Sequence, residues 1–135
     1  SYSPLPQLSA ADRQRMIDEV VKPTVDGLVK GEYHYHGVLY IGLMLTTDGP
    51  KVIEYNVRLG DPETQVVLPR LDTDLYQLVD AAINDQPLPA ISETAEASFG
   101  VVLASKGYPQ KPFHGQELGS FPEGSEVEID YANVT

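Results

Sequence analysis

Cysteine is absent from this 135-residue sequence. A chain without cysteine has no disulfide scaffold, no thiolate nucleophile, and no zinc or iron–sulfur site that depends on thiolate ligands. Such a composition fits the reducing cytoplasm, and we expect a cytoplasmic protein.

Hydrophobic runs of membrane-spanning length are missing as well, although 41% of the residues are hydrophobic. The N-terminal residues lack the basic and apolar regions of a signal peptide. We therefore expect a soluble chain without a membrane partner. The length suffices for one hydrophobic core and part of a second, but not for a complete multidomain enzyme, so we expect a fragment.

Basic side chains are scarce, since 9 Lys and Arg residues stand against 20 Asp and Glu residues. Residues 1–60 carry 6 basic and 7 acidic side chains, whereas residues 61–135 carry 3 and 13. A surface this negative repels nucleic acid and anionic membranes. The phosphate-loop motif of nucleotide-binding proteins is also absent. A nucleotide would therefore need metal ions, backbone amides or cations from another segment.

The first part of the sequence predicts a helix that begins after Ser9. Ser9 and Asp12 have the spacing of a capping box, in which two side chains satisfy free backbone N–H groups. Pro23 is expected to kink or interrupt this helix, and Gly31 is expected to end it. The apolar residues at helical spacing are Met16, Ile17, Val20, Val21, Val25 and Leu28.

A β-hairpin is predicted next. Residues 38–47 are almost continuously apolar, which is typical of a strand covered on both faces, and Asp48-Gly49-Pro50 supplies a turn. Residues 51–57 form the predicted return strand. Side chains alternate between the two faces of a strand, so we expect Glu54 and Asn56 on the same face.

Two more helices are predicted after the hairpin. Asp61 has the chemistry of a helix cap, and Pro62 suits the first helical position. A further helix is expected to begin at Asp72 or Thr73 and to end before Pro87. Its expected buried face consists of Leu75, Leu78, Val79, Ala82 and Ile83.

The sequence changes character beyond about residue 90. Short apolar runs alternate there with turn sequences such as Gly107-Tyr108-Pro109 and Pro122-Glu123-Gly124, so this tail is predicted to be β-rich. The proline-containing stretch 86–92 is the expected junction between two structural units.

Glu54 and Asn56 are the candidate metal ligands. Two residues that lie two positions apart on a strand are roughly 6.5 to 7 Å apart at their backbones, so their side chains can converge on one hard cation. Mg²⁺ completes its coordination with water and phosphate oxygens, so a site with two protein ligands implies a bound nucleotide. Taken alone, Glu-x-Asn is more often an ordinary strand with one solvated face.

The residues around this pair carry a resemblance to a known family. Residues 58–65 read Arg-Leu-Gly-Asp-Pro-Glu-Thr-Gln, which is similar to the signature of glycinamide ribonucleotide synthetase, or phosphoribosylamine–glycine ligase, of the ATP-grasp superfamily. Residues 37–40 and 48–52 resemble the hairpin that precedes this signature. The resemblance extends through residues 2–4, 23–27 and 104–109, and so covers nearly all of the chain.

The resemblance implies an α+β fold. Residues 1–90 would be the C-terminal part of an ATP-grasp domain, with antiparallel strands and helices. Residues 91–135 would begin a small β-rich C-terminal domain and stop before it is complete. The Gly-rich flap, the adenine-binding Lys residues and the N-terminal substrate domain would lie in segments of the same parent chain before Ser1.

The implied activity is that of a ligase in purine (IMP) biosynthesis. It would join glycine to 5-phosphoribosylamine, with ATP cleaved to ADP and phosphate through glycyl phosphate. In the family, the residues that match Glu54 and Asn56 bind Mg²⁺ or Mn²⁺. The parent protein would be the enzyme, and we expect the isolated chain to be inactive.

The resemblance also implies roles for four other residues. Arg58 would be catalytic, beside the transferring phosphate, although an ordinary structural Arg is the alternative. Asp61 and Glu63 would bind substrate, through the glycine amine or ribose hydroxyls, and each has an alternative role at the start of a helix. Met44 would cover the adenine ring, with a plain core Met as its alternative.

Three further positions have limited roles in this interpretation. Gly42 occupies a place where several ATP-grasp relatives carry a second acidic metal ligand, so metal binding would rely on the side of Glu54. His34 and His36 lie two residues apart without a third ligand nearby, and we interpret them as loop or strand-edge histidines.

Two other functions remain open at this point. One is another ATP-grasp enzyme of the purine pathway, a carboxylase or formyltransferase, since Glu-x-Asn-x-Arg recurs across the superfamily. The run Gly60-Asp61-Pro62-Glu63 disfavours it. The other is a noncatalytic acidic interaction module with a ligase-derived fold, which the acidic second half favours.

Overall fold

A computed structural model of the chain describes residues 1–120, 127–132 and 134. The chain divides into two compact units, Ser1–Gly100 and Val101–Thr135. All helices and strands among the described residues belong to the first unit. In chain order they are β1 (Tyr2–Ser3), α1 (Ala10–Met16), a π-helical turn (Ile17–Val21), α2 (Lys22–Lys30), β2 (Tyr40–Thr46), β3 (Gly49–Asn56), α3 (Thr64–Val67), a 3-10 turn (Leu68–Arg70), α4 (Leu75–Ile83) and β4 (Ser98–Phe99).

The first helical segment begins as the sequence predicts. The Asp12 N–H group donates to Ser9 Oγ at 3.1 Å, and the Ser9 N–H group donates back to Asp12 Oδ2 at 3.3 Å. This capping box is confirmed, and Gly31 occupies the C-cap position of α2.

Pro23 interrupts this helical segment in a specific way. Proline has no N–H group, so the α-helical ladder of hydrogen bonds cannot continue unchanged at that position. The chain forms the π-helical turn Ile17–Val21 just before it, and the Lys22 N–H group bonds to the Ile17 carbonyl, five residues back. The expected interruption is therefore a widened turn between α1 and α2.

The hairpin of β2 and β3 is antiparallel, with Tyr40 opposite Asn56 at its open end and Thr46 opposite Gly49 at its turn. Gly49 has a φ of +110° and belongs to β3, so the predicted turn at residues 48–50 is shifted toward the N-terminus. The register shifts between Gly42 and Leu43, and Ile53 on the facing strand has no direct partner. No residue pattern in the sequence predicts this β-bulge.

The expectation that β2 is covered on both faces is wrong for the described residues. Met44 is 55% exposed, and Ile53 on the neighbouring strand is 62% exposed. The sheet that contains β2 has only two strands among the described residues, so no further strand lies beside the apolar run. In the part of the chain that the structure describes, the buried hydrophobic side chains are Val20, Val66 and Ala81.

The predicted helix at Asp61 begins later than expected. Helix α3 starts at Thr64, and its N-cap residue is Glu63, whose side chain makes no capping hydrogen bond. The Thr64 N–H group bonds instead to the Gly60 carbonyl at 3.1 Å. Asp61 is exposed in the turn before the helix.

Helix α4 also begins two residues after the later predicted start. Its N-cap is Asp74, whose carboxylate accepts a 2.8 Å hydrogen bond from the Tyr76 N–H group. The expected buried face is only partly correct. Leu78 and Ala82 are half-buried and Ala81 is buried, but Leu75, Val79 and Ile83 are exposed.

Arg70 is the buried charged residue of the first unit. Its guanidinium donates to the Glu96 carbonyl at 2.7 Å, to the Thr94 carbonyl at 3.3 Å and to Ser3 Oγ at 2.7 Å. It also forms an ion pair with Glu93 at 3.0 Å. We call Arg70 with these four partners the Arg70 clamp. It fixes three distant segments of the chain, and no sequence pattern predicted it.

The end of the first unit is held by main-chain contacts. Strand β1 pairs with β4, with Tyr2 opposite Phe99. The N-terminal amine of Ser1 donates to the Gly100 carbonyl at 3.1 Å, and the Gly100 N–H group donates to the Ser1 carbonyl at 2.9 Å. Residues 98–100 thus pack with the first residues of the chain. The expected division into domains 1–90 and 91–135 stays a prediction.

The second unit contains a turn at residues 106–110, with Gly107 at a φ of +87°. The Phe113 N–H group closes this turn by donating to the Lys106 carbonyl at 2.9 Å. No strand is present in the described part of this unit, so its β-rich character stays a prediction. The predicted turn Pro122-Glu123-Gly124 lies outside the described residues.

Across residues 1–120, 127–132 and 134, none of the helices has both the length and the apolar character needed to cross a membrane.

Candidate functional site

The candidate metal ligands lie together at the open end of the hairpin. Asn56 Nδ2 donates a hydrogen bond to Glu54 Oε1 at 2.8 Å, so the two side chains share one face of β3. Glu54 is exposed and Asn56 is half-buried. Both polar groups therefore remain accessible to a ligand.

The facing strand leaves room for Glu54. Gly42 lies directly opposite Glu54 in the ladder, and a Cβ atom on Gly42 would lie 3.1 Å from Glu54 Cγ. This is tighter than ordinary van der Waals contact. The absence of a side chain at position 42 lets the Glu54 side chain lie across β2.

Tyr40 lies among the charged groups of the site. It is half-buried on β2 opposite Asn56. Burial raises the pKa of the Tyr40 hydroxyl above its usual value, and the Glu63 carboxylate raises it further through its charge and a hydrogen bond. The charge of Glu54 acts in the same direction, whereas the charge of Arg58 lowers the pKa. The charges of all three residues thus act on the Tyr40 hydroxyl.

The loop after β3 brings Glu63 back to the hairpin. Gly60 is buried, and a Cβ atom at that position would lie 2.6 Å from Glu63 Oε2. The Thr64 hydroxyl and the Thr64 N–H group both donate to the Gly60 carbonyl. These bonds tighten the loop, and the lack of a side chain on Gly60 makes space for the Glu63 carboxylate.

Arg58 supplies the positive charge of the site. It is exposed, and Nη1 donates to the neighbouring Leu59 carbonyl at 2.7 Å. This bond uses one N–H group of the guanidinium, which has five donors in a planar arrangement. The other donors are available to an anionic ligand.

We call these five residues the site cluster: Tyr40, Glu54, Asn56, Arg58 and Glu63. Four of them are predicted as functional residues from the sequence, whereas Tyr40 is not. A signal for it was present, because Tyr40 is the polar-tipped side chain within the otherwise apolar stretch from Val38 to Leu45. Its importance depends on the loop that returns to it, and sequence spacing does not reveal that contact.

The other candidate residues lie apart from these contacts. Met44 is on β2 beyond the bulge, opposite Lys51, and Asp61 is exposed in the loop. His36 lies outside the helices and strands, and its Nε2 atom contacts Asp85 Oδ1 at 2.8 Å. Within the described residues, no group of three or more His, Cys, Asp or Glu side chains is arranged to hold a metal ion.

The residues of the site cluster lie in a range that matches a known protein family. The family model of the ATP-grasp (A) domain of phosphoribosylglycinamide synthetase matches residues 1–64. Over these residues, the chain is similar to the phosphoribosylglycinamide synthetase family. The matched range includes every residue of the site cluster.

Relatives of this family resemble the chain beyond the matched range. The phosphoribosylamine–glycine ligase of Listeria monocytogenes is 46% identical over 118 residues, which are 87% of this chain and 28% of that protein. The ligase of the same name from Halalkalibacterium halodurans is 49% identical over 109 residues, or 81% of this chain and 25% of that protein. The chain therefore spans about a quarter of the length of these relatives.

A solved structure from the same family has the same fold. The crystal structure of phosphoribosylamine–glycine ligase from Thermotoga maritima matches 83% of this chain and 28% of its own chain, with a TM-score of 0.70 and 34% sequence identity. The expected α+β fold of part of an ATP-grasp enzyme is thereby confirmed.

Proposed function

We propose that this chain contributes one wall of the active site of a phosphoribosylamine–glycine ligase. The full-length protein would join glycine to 5-phosphoribosylamine, with ATP cleaved to ADP and phosphate, in purine biosynthesis. The observation that carries the proposal is the site cluster. Glu54 and Asn56 offer two oxygen ligands for a metal ion. The charges of Arg58 and Glu63 act on the neighbouring Tyr40. The names of the relatives support the same activity.

The oxygen pair fits Mg²⁺ or Mn²⁺. Glu54 offers a carboxylate, and a half turn of the Asn56 amide would place its oxygen, in place of Nδ2, beside Glu54 Oε1. These hard oxygen donors are the kind that such cations prefer, and the small number of protein ligands suits a cation that also binds phosphate. When bound, the cation would offset the negative charges of the triphosphate and of the glycine carboxylate.

The proposed reaction has two bond-forming steps. A carboxylate oxygen of glycine attacks the terminal phosphorus of ATP, the bond to ADP breaks, and glycyl phosphate forms. The amine of phosphoribosylamine then attacks the carbonyl carbon, inorganic phosphate leaves, and the new amide nitrogen loses a proton. Arg58 serves the first step, because its free N–H groups can donate to the oxygens of the transferring phosphoryl group.

The remaining candidates would hold the substrates. Glu63 is half-buried and lies beside Tyr40 at Gly60, which suits a carboxylate that receives a substrate amine or hydroxyl. Asp61 lies in the same loop and is exposed, as a second substrate ligand would be. Met44 offers an exposed, polarisable side chain against which an adenine ring could pack.

Groups outside the chain would complete the site. The sequence has a net charge of −11, so additional cations or backbone amides for the triphosphate would come from other segments of the parent protein. We expect the isolated 135 residues to show no ligase activity. The cytoplasmic location inferred from the cysteine-free sequence stays a prediction.

The test is an assay of the full-length protein that contains this chain. ADP release is measured with MgATP, glycine and phosphoribosylamine, and then with each substrate omitted. We expect release that requires glycine. Release that depends on formate or bicarbonate instead would indicate another ATP-grasp enzyme of the purine pathway and contradict the proposal. A calorimetric titration that detects no binding of Mg²⁺ and ATP would indicate a noncatalytic module.

A further inference from the structure

The ring of Tyr40 is enclosed by two glycines. Its Cε1 atom lies 3.6 Å from the position of a Cβ atom on Gly42, and its Cε2 atom lies 2.9 Å from the corresponding position on Gly60. Each edge of the ring therefore faces a residue without a side chain. A Cβ atom at position 60 would force the ring to shift, because real Cβ contacts are not that short.

The second carboxylate of the site lies beside Tyr40. The Tyr40 Cε2 atom and the Glu63 Oε2 atom lie 2.9 Å and 2.6 Å from the same position, that of a Cβ atom on Gly60, and the Glu63 carboxylate raises the pKa of the Tyr40 hydroxyl. The ring and the carboxylate thus occupy the same space above Gly60. A free Glu side chain has three rotatable bonds, and a hydrogen bond from the Tyr40 hydroxyl would restrict them.

The position of Glu63 suits one group of the substrates. In the proposed reaction, the glycine carboxylate must reach the phosphoryl group beside Arg58 and the Glu54–Asn56 pair. The ammonium group of glycine is only two bonds from that carboxylate, so it must lie within a few ångströms of the same place. Glu63 is the half-buried carboxylate of the site cluster, and it is adjacent to this location.

We propose that Tyr40 is a positioning residue, whose hydroxyl holds the Glu63 carboxylate above Gly60 so that it receives the ammonium group of glycine. This proposal rests on the proposed ligase function and assigns a role to a residue that does not itself contact the reacting atoms. The proposed arrangement also requires Gly60, because only glycine leaves space for both Tyr40 and Glu63.

The test is a double-mutant cycle in the full-length protein with Tyr40→Phe and Glu63→Gln. Tyr40→Phe keeps the ring and removes only the hydroxyl. We expect it to raise the KM for glycine roughly tenfold, as loss of a hydrogen bond to a charged group implies, and to leave the KM for ATP unchanged. Glu63→Gln should raise the KM for glycine at least as much. Because Tyr40 acts through Glu63, the double variant should match Glu63→Gln alone.

Tyr55→Phe is the matched control. Tyr55 lies on the other strand of the same hairpin, and its hydroxyl contacts Thr24 Oγ1 at 3.0 Å, away from the site cluster. We expect the KM for glycine of this variant to equal that of the wild type. If Tyr55→Phe and Tyr40→Phe had equal effects, a general role in strand packing would explain both and the proposal would be wrong.

A second variant keeps the proposal testable if Tyr40→Phe fails to fold. Gly60→Ala should displace Glu63 and so raise the KM for glycine while leaving the KM for ATP unchanged. Multiplicative effects of Tyr40→Phe and Glu63→Gln on the KM for glycine would overturn the proposal, as would a wild-type KM for glycine in Gly60→Ala.

The same cycle, measured by urea unfolding, separates this proposal from the proposed function. Coupled residues should lower the urea midpoint less together than the sum of their separate shifts. Additive shifts would overturn the Tyr40–Glu63 contact whether or not the protein is a ligase. A wild-type protein that releases no ADP with glycine, but shows coupled shifts, would overturn the ligase function and leave the contact supported.

Discussion

The side-chain amide of Asn56 donates a 2.8 Å hydrogen bond to Glu54 across one face of β3. If the two side chains hold a cation, Glu54→Gln and Asn56→Ala should each lower the kcat of the full-length protein on the order of 100-fold, since several kcal/mol of charge stabilisation depend on the metal. Steady-state kinetics and titration with Mn²⁺, followed by electron paramagnetic resonance, would measure both effects.

Asp48→Asn is the control for this prediction. Asp48 is exposed in the turn of the same hairpin, and the substitution removes the same charge as Glu54→Gln. We expect its kcat and Mn²⁺ affinity to equal those of the wild type. Wild-type rates in both Glu54→Gln and Asn56→Ala would remove the metal assignment.

The Arg70 clamp predicts a large loss of stability on truncation. Arg70→Ala leaves the Thr94 and Glu96 carbonyls and the Glu93 carboxylate without their donor. We expect a loss of about 3 kcal/mol in the free energy of unfolding, as is typical when one partner of a buried charged network is removed. Urea unfolding measures it.

Arg58→Ala provides the comparison for the Arg70 variant. Arg58 is exposed and bonds to a neighbouring carbonyl, so its removal should change the free energy of unfolding by less than about 0.5 kcal/mol. The ligase function predicts that Arg58→Ala nevertheless lowers kcat. Equal losses of stability in the two variants would contradict the structural role of the clamp.

The raised pKa of Tyr40 gives a testable pH dependence. Burial and the Glu63 carboxylate favour the neutral phenol in the folded state, so the contribution of Tyr40 to stability is fully present below its unfolded pKa of about 10. It should be lost as the pH rises through the higher folded pKa. The difference in absorbance at 295 nm between the wild type and Tyr40→Phe should therefore titrate later than an exposed tyrosine.

Glu63→Gln separates the causes of the raised pKa of Tyr40. It removes the negative charge of Glu63 but leaves the burial of Tyr40, which is the largest cause of the shift. The delayed titration should move toward pH 10 without reaching it. A Tyr40 that titrates like an exposed tyrosine in the wild type would show that its hydroxyl is not enclosed as described.

The capping box at the start of α1 makes a smaller prediction. Ser9→Ala removes the side-chain acceptor for the Asp12 N–H group and should lower the free energy of unfolding by about 1 kcal/mol. Ser120→Ala changes an exposed serine of the second unit and should have no measurable effect. Equal midpoints for the two variants in urea unfolding would contradict a stabilising role for the cap.

Local sequence signals predicted local structure well. Ser9 and Asp12 are three residues apart, so their hydrogen bonds depend only on the helix that they begin. The alternation of side chains likewise placed Glu54 and Asn56 together. Such features depend on chain geometry over a few residues, which the amino-acid types themselves restrict.

Contacts between distant residues escaped prediction. Arg70 bonds to Ser3, 67 residues earlier, and no periodicity in the sequence connects them. The bulge at Ile53 depends on how two strands align, and a period-2 pattern does not reveal it. Tyr40 was missed for the same reason, because its role depends on the return of the loop that carries Glu63.

The site cluster has a further consequence for the order in which the protein forms during synthesis. All five of its residues lie between positions 40 and 63, so its contacts close only short loops, for which the loss of chain entropy is small. This stretch can take shape soon after it leaves the ribosome. The Arg70 clamp must wait until residue 96 has emerged, so the site cluster can assemble before the Arg70 clamp does.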